Sequence, residues 1–178
     1  MNSGIKAFVV LSGFLASNCW ISLNPLFERH DLVFDQRVLG AWIDSDGDTW
    51  TFFPHGDQGY RLVYMEDGRA GVFEARLGQL GNSMFLDICS QESQHLDGLS
   101  ELLLLSTHVF FKVEVEQDRI TLQNFTDRAD NVLTAISHTR TSDYVLLTDS
   151  TPNMQAAALE LESDPAVFDD PIVLSRVR

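Results

Sequence analysis

The sequence predicts a mainly β fold, an antiparallel eight-stranded up-and-down barrel with short helices after the seventh and eighth strands. Three observations predict it. Short apolar or alternating runs between Leu39 and Thr148 are separated by turn dipeptides. The clearest of these runs repeats with the period of two that belongs to a half-buried strand. A chain of 178 residues suits one domain, and a sheet of eight strands within it hides its edges most simply by closing on itself. A β-sandwich is the alternative architecture.

The elements follow in order. Residues 39–45 and 48–54 flank Asp46 and Gly47, a dipeptide favoured in two-residue type I′ hairpins because both central residues need positive φ. Residues 60–66 and 70–78 form the third and fourth strands, joined across Asp67 and Gly68, and residues 84–89 form the fifth after a turn at Gly81, Asn82 and Ser83. Polar residues 90–98 interrupt the pattern. Leu102 to Leu105, too short a run to span a membrane, read as chain buried on both sides and lead into the sixth strand, 108–116. There Val109, Phe111, Val113 and Val115 take one face while Lys112, Glu114 and Glu116 take the other. A turn at Gln117 and Asp118 returns the chain through a seventh strand, 119–125. Residues 127–138 read as a short helix, with Val132, Leu133 and Ile136 at helical spacing and Asp127 and Asp130 near its positive N-terminal end. Residues 143–148 make the eighth strand. A second helix begins at Ser150 or Thr151 with Pro152 in its first turn and runs to Leu161. The tail from Asp164 holds prolines and no clear period, so it reads as coil or a short helix.

The first nineteen residues concern location. Lys6 precedes an apolar run, residues 7–16, of signal-peptide length and too short to cross a bilayer comfortably. Residues 1–18 therefore read as an export signal, 19–38 as a lead and barrel-closing turn, and 39–178 as the barrel domain with its C-terminal helix. Leu15, Ala16, Ser17, Asn18 and Cys19 resemble the lipobox of bacterial lipoproteins, with Asn18 standing between the small residue and the cysteine. That resemblance implies a diacylated Cys19 and a lipid anchor on the periplasmic side of a bacterial membrane. An ordinary cleaved signal, an uncleaved N-terminal anchor and a cytosolic chain with a buried N-terminal helix remain the alternatives.

Charge narrows the partners. With 12 Lys and Arg against 26 Asp and Glu, the net charge of −14 opposes binding to nucleic acid and to anionic membrane surfaces. Two cysteines make no disulfide framework, and Cys89 lies in an apolar stretch that suits a buried structural thiol.

Residues 34–39 followed by Gly40, Ala41 and Trp42 resemble the Gly-x-Trp signature of lipocalins and the wider calycin group. In those barrels a short 3₁₀ turn closes the bottom and the tryptophan packs against it, so the resemblance implies a lipocalin-like barrel. More broadly, residues 24–27, 31–35, 39–42 and 46–52 are similar to a family of bacterial exported proteins, many with lipoprotein signals and a lipocalin-like domain, for which no activity is carried over. Lipocalins also place a late-strand arginine over the tryptophan, and Arg140 is the residue the sequence offers for that role.

Chemistry-bearing patterns are sparse. Asp44, Asp46 and Asp48 alternate as in a calcium loop, yet the glycine falls fourth and the twelfth position is His55, so a solvated hairpin turn is the favoured reading. The histidines at 30, 55, 95, 108 and 138 form no pair at metal-ligand spacing. His108 opens the strongest strand and, aimed into the barrel, would be the one of interest, although a histidine bonded to backbone at a strand end is the simpler reading. No Gly-x-Ser-x-Gly elbow, phosphate-cradling loop or zinc cluster is present in the sequence, so no catalytic residue, metal ligand set or cofactor is expected. What remains is aromatic. Trp50 and Phe52 share one face of the second strand, Tyr60 and Tyr64 one face of the third, and Phe111 approaches from the opposite wall. Pointed inward, they either line an apolar cavity or fill it. The expected function is an envelope-anchored, non-enzymatic, lipocalin-like module binding a small apolar ligand. The alternative is a scaffold or protein-interaction lipoprotein with a filled barrel.

Cys19→Ala is expected to abolish labelling by a fatty-acid probe and to release the chain from membranes, because each acyl methylene buried in the bilayer contributes about 0.8 kcal/mol. Metabolic labelling and membrane fractionation measure both effects.

Overall fold

The computed structural model describes residues 19–90, 105–126, 129–141 and 144–178. Ahead of the barrel lie β1 (Cys19–Ser22), a 3₁₀ turn at Arg29–Asp31, β2 (Leu32–Val33) and a second 3₁₀ turn at Gln36–Val38. Six strands follow in hairpin order: β3 (Gly40–Ile43), β4 (Thr49–His55), β5 (Gly59–Glu66), β6 (Arg69–Leu80), β7 (Ser83–Ser90) and β8 (His108–Val115). The rest of the chain supplies β9 (Arg119–Gln123), α1 (Asp130–Leu133), β10 (His138–Arg140), β11 (Tyr144–Leu147), α2 (Thr151–Leu161), a 3₁₀ turn at Pro165–Val167 and β12 (Ile172–Arg176). Strands β3 to β9 pair in sequence, each antiparallel to the next, and β12 joins β9 back to β3. The result is a closed antiparallel barrel of eight strands.

The eighth barrel strand is not the expected one. Residues 144–147 form β11, which lies outside the barrel, parallel to β1 and antiparallel to β10. The closing strand is β12, from the tail that reads in sequence as coil. Four of its residues, Ile172 to Ser175, pair with Leu122 to Arg119, while only Ser175 and Arg176 pair with β3, opposite Ile43 and Trp42. A five-residue strand with a single fully buried side chain, Leu174, has too little alternation to stand out; its partners define it. The expected helix over 127–138 is likewise shorter. Its helical turn spans Asp130–Leu133, residues 127 and 128 lie outside the described residues, and His138 already begins β10.

The first hairpin turn is not of the expected type. Asp44 N–H donates to Asp48 O at 3.1 Å, leaving the three residues Ser45, Asp46 and Gly47 in the loop, of which Gly47 alone has positive φ (90°). This is a type I turn followed by a glycine bulge, and it wins because the Asp44 carboxylate accepts the N–H groups of Asp46 and Asp48 at 3.0 and 2.9 Å. The two-residue turn with both φ values positive sits instead at Asp67 (47°) and Gly68 (74°), closed by the Glu66–Arg69 pair.

Two cores share the barrel wall. Inward side chains from all eight strands, among them Trp42, Phe52, Tyr60, Leu77, Leu122 and Leu174, form the inner core. Outside β7 and β8, Phe85 and Phe110 are buried beneath a second layer that brings Trp20 from β1, Phe125, and Met154, Ala158 and Leu161 from α2. Phe110 therefore breaks the simple alternation of its strand. Lys112, on the outward face expected to be solvated, lies at the edge of the same layer. Its Nζ donates to Glu162 O at 2.6 Å and sits 4.9 Å from the centre of the Phe168 ring, a cation beside the negative end of α2. Leu105, the described end of the leucine run, is 72% exposed instead of buried, and residues 102–104 lie outside the described residues.

At the start of β3, Trp42 is fully buried and its indole Nε1–H donates to Val38 O at 2.9 Å. The Arg176 guanidinium lies 4.1 Å from the ring centre and donates to three carbonyls: Leu39 O at 2.9 Å, Arg37 O at 2.7 Å and Gln117 O at 2.8 Å. Arg176 thus occupies the place for which Arg140 is the sequence candidate; Arg140 lies on exposed β10 outside the barrel. The close approach requires Gly40, whose φ is 117° and whose added Cβ would stand 2.9 Å from Arg176 Nη1.

Trp42→Ala is expected to cost about 3–5 kcal/mol, as for other large buried aromatics. Arg176→Ala is expected to cost about 1.5–3 kcal/mol from its charge-assisted hydrogen bonds, and Arg140→Ala to leave the midpoint nearly unchanged. Urea unfolding of the three variants separates these outcomes.

Candidate functional site

The barrel interior is the candidate site. Strand pairing sets Trp50 opposite both Trp42 and Tyr64, Phe52 opposite Leu62, and Tyr60 opposite Ala75, so period two directs these side chains to one side. All five residues singled out in the sequence are buried there: Trp50, Phe52, Tyr60, Tyr64 and Phe111. Four of them pack in pairs. Trp50 and Tyr64 pack edge to face with centroids 4.8 Å apart, and Phe52 and Tyr60 lie nearly perpendicular at 6.2 Å.

Their polar tips are tied down as well. Trp50 Nε1–H donates to Asp44 Oδ2 at 3.2 Å and the Tyr64 hydroxyl donates to Asp48 Oδ2 at 2.9 Å, so the carboxylates of the β3–β4 loop anchor two barrel aromatics. The Tyr60 hydroxyl accepts Asp35 N–H at 2.7 Å and donates to Asp35 O at 3.1 Å, and Phe34 stacks on its ring at 5.1 Å. Burial pushes the Tyr60 phenol up to about 12. Burial also raises Tyr64, helped by its bond to Asp48 and by the negative charges of Asp48, Glu66 and Asp44. Asp44 thus caps a turn, and Asp44 and Asp48 hold aromatic tips, while among the described residues no group of three or more His, Cys, Asp and Glu is arranged to hold a metal ion.

Open clefts border the wall. One of about 390 Å³ is lined by residues including Arg29, His55, Glu74 and Arg76, and one of about 510 Å³ by residues including Asp35, Arg37, Met84 and Lys112. In both, most charges already have partners: Arg29 with Asp57 at 3.2 Å, Arg76 with Glu74 at 3.5 Å, Arg37 with Asp35 at 2.6 Å. A void of about 10 Å³ lies between the barrel and α2 beside Trp20, Phe110 and Met154. An apolar ligand of drug size needs roughly 300 Å³ or more of mostly apolar lining.

The His108 side chain does not point into the barrel. It faces the outer layer, where its Nδ1 lies 2.7 Å from Oδ1 of Asp87, a carboxylate only 2% exposed whose Oδ2 accepts Leu26 N–H at 2.9 Å. Asp87 escaped the sequence reading because one aspartate between Leu86 and Ile88 looks like an ordinary outward strand position; its buried partners come from residues 61 positions before it and 21 after it. Cys89 pairs across the strands with His108, which brings cysteine, histidine and aspartate together. Burial and the Asp87 charge push the Cys89 thiol up to about 11, which leaves it a poor nucleophile at neutral pH. Cys19, the proposed lipidation residue, is the first paired position of β1, opposite Tyr144.

Comparison of the chain with family models, with curated proteins and with solved structures found no match.

Because Tyr60 is raised in the folded state, its packing contributes fully below pH 10, the unfolded value, and is lost as pH rises from there through about 12; Tyr64, also raised, acts in the same direction. Absorbance titration at 295 nm, with wild type compared with Tyr64→Phe, is expected to show Tyr64 ionising well above the range of a free tyrosine. Asp48→Asn should move Tyr64 back toward its ordinary value.

Proposed function

We propose that this chain is an envelope-anchored, lipocalin-like interaction module without enzymatic activity, and that its barrel is a filled scaffold instead of a ligand carrier. The observation that carries the reading is the inner core itself. Trp50 meets Tyr64, Phe52 meets Tyr60, and the polar tips of Trp50, Tyr60 and Tyr64 are satisfied by Asp44, Asp35 and Asp48. A ligand entering this space would have to separate packed rings and break those hydrogen bonds, and the loss of either is costly. The lipocalin-like part of the reading is supported by Gly40, by Trp42 on its 3₁₀ turn and by Arg176 above the indole. The anchor is supported by Lys6, the apolar run and Cys19. With the interior occupied, the outer surface is left to act.

Native mass spectrometry of the full chain extracted from membranes tests the reading. The expected spectrum carries no bound apolar molecule, and wild type does not take up an environment-sensitive apolar dye. Phe52→Ala serves as control, since removing that ring should open an apolar void able to admit a small probe. A stoichiometric apolar adduct on wild type would replace the scaffold with the carrier.

A further inference from the structure

The barrel wall has two unlike outer halves. On β7 and β8 the outward Phe85 and Phe110 are covered by the second layer. On β12, β3, β4, β5 and β6 the outward positions line up in rungs: Ile43 beside Thr49, Met65 and Ala70, then Ala41 beside Thr51, Val63 and Val72. Val173 and Ser175 on β12, Val177 just beyond it, and Phe53 on β4 extend the same surface. Ile43, Phe53, Met65, Val72, Val173 and Val177 are each between 38% and 49% exposed. None of these positions is charged, in a chain of net charge −14. At one border stand Arg61, across from Phe53, and Glu74, across from Arg61. Arg61 has no ion-pair partner among the described residues.

We propose that this face is the docking surface for a second copy of the chain, in a two-fold pair. Two strongly acidic copies repel at most approaches, and the repulsion is weakest where the facing surfaces carry no charge and bury apolar side chains. An isologous pairing also presents the same border twice, so Arg61 of each copy can face an acidic group on the border of the other, Glu74 being shared there with Arg76. Because the barrel is closed, the contact is face to face and not strand addition at an edge. Five strands about 4.8 Å apart and three rungs about 7 Å apart, the border row of Phe53, Arg61 and Glu74 included, give about 500 Å² per copy, or about 1,000 Å² in all, the size of a weak and reversible interface. The net charge weighs against an anionic membrane as the occupant. The pairing deepens the interaction-module reading, yet it is argued from the outer wall alone. A ligand found inside the barrel would therefore overturn the scaffold and leave the pairing standing.

The test places a photo-crosslinking benzoylphenylalanine at Val63 or at Thr51 in the full-length chain, with two differently tagged copies expressed together, and at Glu160 on α2 as the control. Adducts carrying both tags are expected from positions 63 and 51 and not from 160. They should fall at least tenfold when Met65→Glu and Val72→Glu are combined, both side chains being exposed, with the thermal midpoint unchanged. Thr51→Arg, with the crosslinker at Val63, serves as a second disruption should the double variant fold poorly. The proposal is overturned if neither position yields an adduct with both tags, if Glu160 yields as much, if adducts persist in the folded variants, or if lipid or another protein is the only species captured.

Discussion

The contact of Arg176 with Trp42 is the constraint on which the remaining structure depends. The ladder between β12 and β3 has only two paired positions, too few to close a barrel securely. The guanidinium compensates by bonding the carbonyls of Arg37 and Leu39, on the turn before β3, and of Gln117, on the turn between β8 and β9. One side chain thereby fastens three separated segments around the indole. The inner aromatics can pack against one another because the wall that surrounds them is complete on this side.

The second layer is held by a different kind of contact. Asp87, buried in the outer wall, accepts from Leu26 in the N-terminal lead and bonds His108 at the start of β8. Its carboxylate would be costly to leave unpaired there, so the lead is held to one position across β7 and β8. Gln155 of α2 donates to Leu26 O and to Asp31, and Thr151 donates to Pro25 O, which fixes the helix over the same lead. Apolar burial supplies the attraction in this layer, while these bonds select its register.

Much of the barrel was legible because hairpins are local. Turn dipeptides and alternation over 39–89 and 108–125 place seven strands within a few residues of where they lie, and the same alternation directs Trp50, Phe52, Tyr60, Tyr64 and Phe111 inward. Illegible were the features decided by distant partners. Nothing within Ile172–Arg176 marks it as the closing strand or Arg176 as the arginine over Trp42, because both properties belong to β3 and β9. Phe85 and Phe110 belong to a core that forms only when the two ends of the chain meet over the wall. The type of the turn between β3 and β4 differs from expectation for a local reason, since the Asp44 side chain, by accepting two backbone N–H groups, outweighs the preference of Asp46 and Gly47. Of the site, the rings could be named from sequence, but their tethers on Asp35, Asp44 and Asp48 required the register.

The late position of β12 has a consequence for how the chain folds. Its partner in closure, Trp42, lies more than a hundred residues earlier, and the parallel pairing of β1 with β11 spans a similar distance. Neither core can be completed until these distant segments meet, so the hairpins must persist for a time as an open sheet with β3 and β9 as bare edges. Closing such long loops carries an entropic cost before any contact offsets it, which slows folding and prolongs the interval in which those edges can pair with other chains. The docking of β12, which pairs with β3 on one side and β9 on the other, covers both edges in one step and so ends that interval.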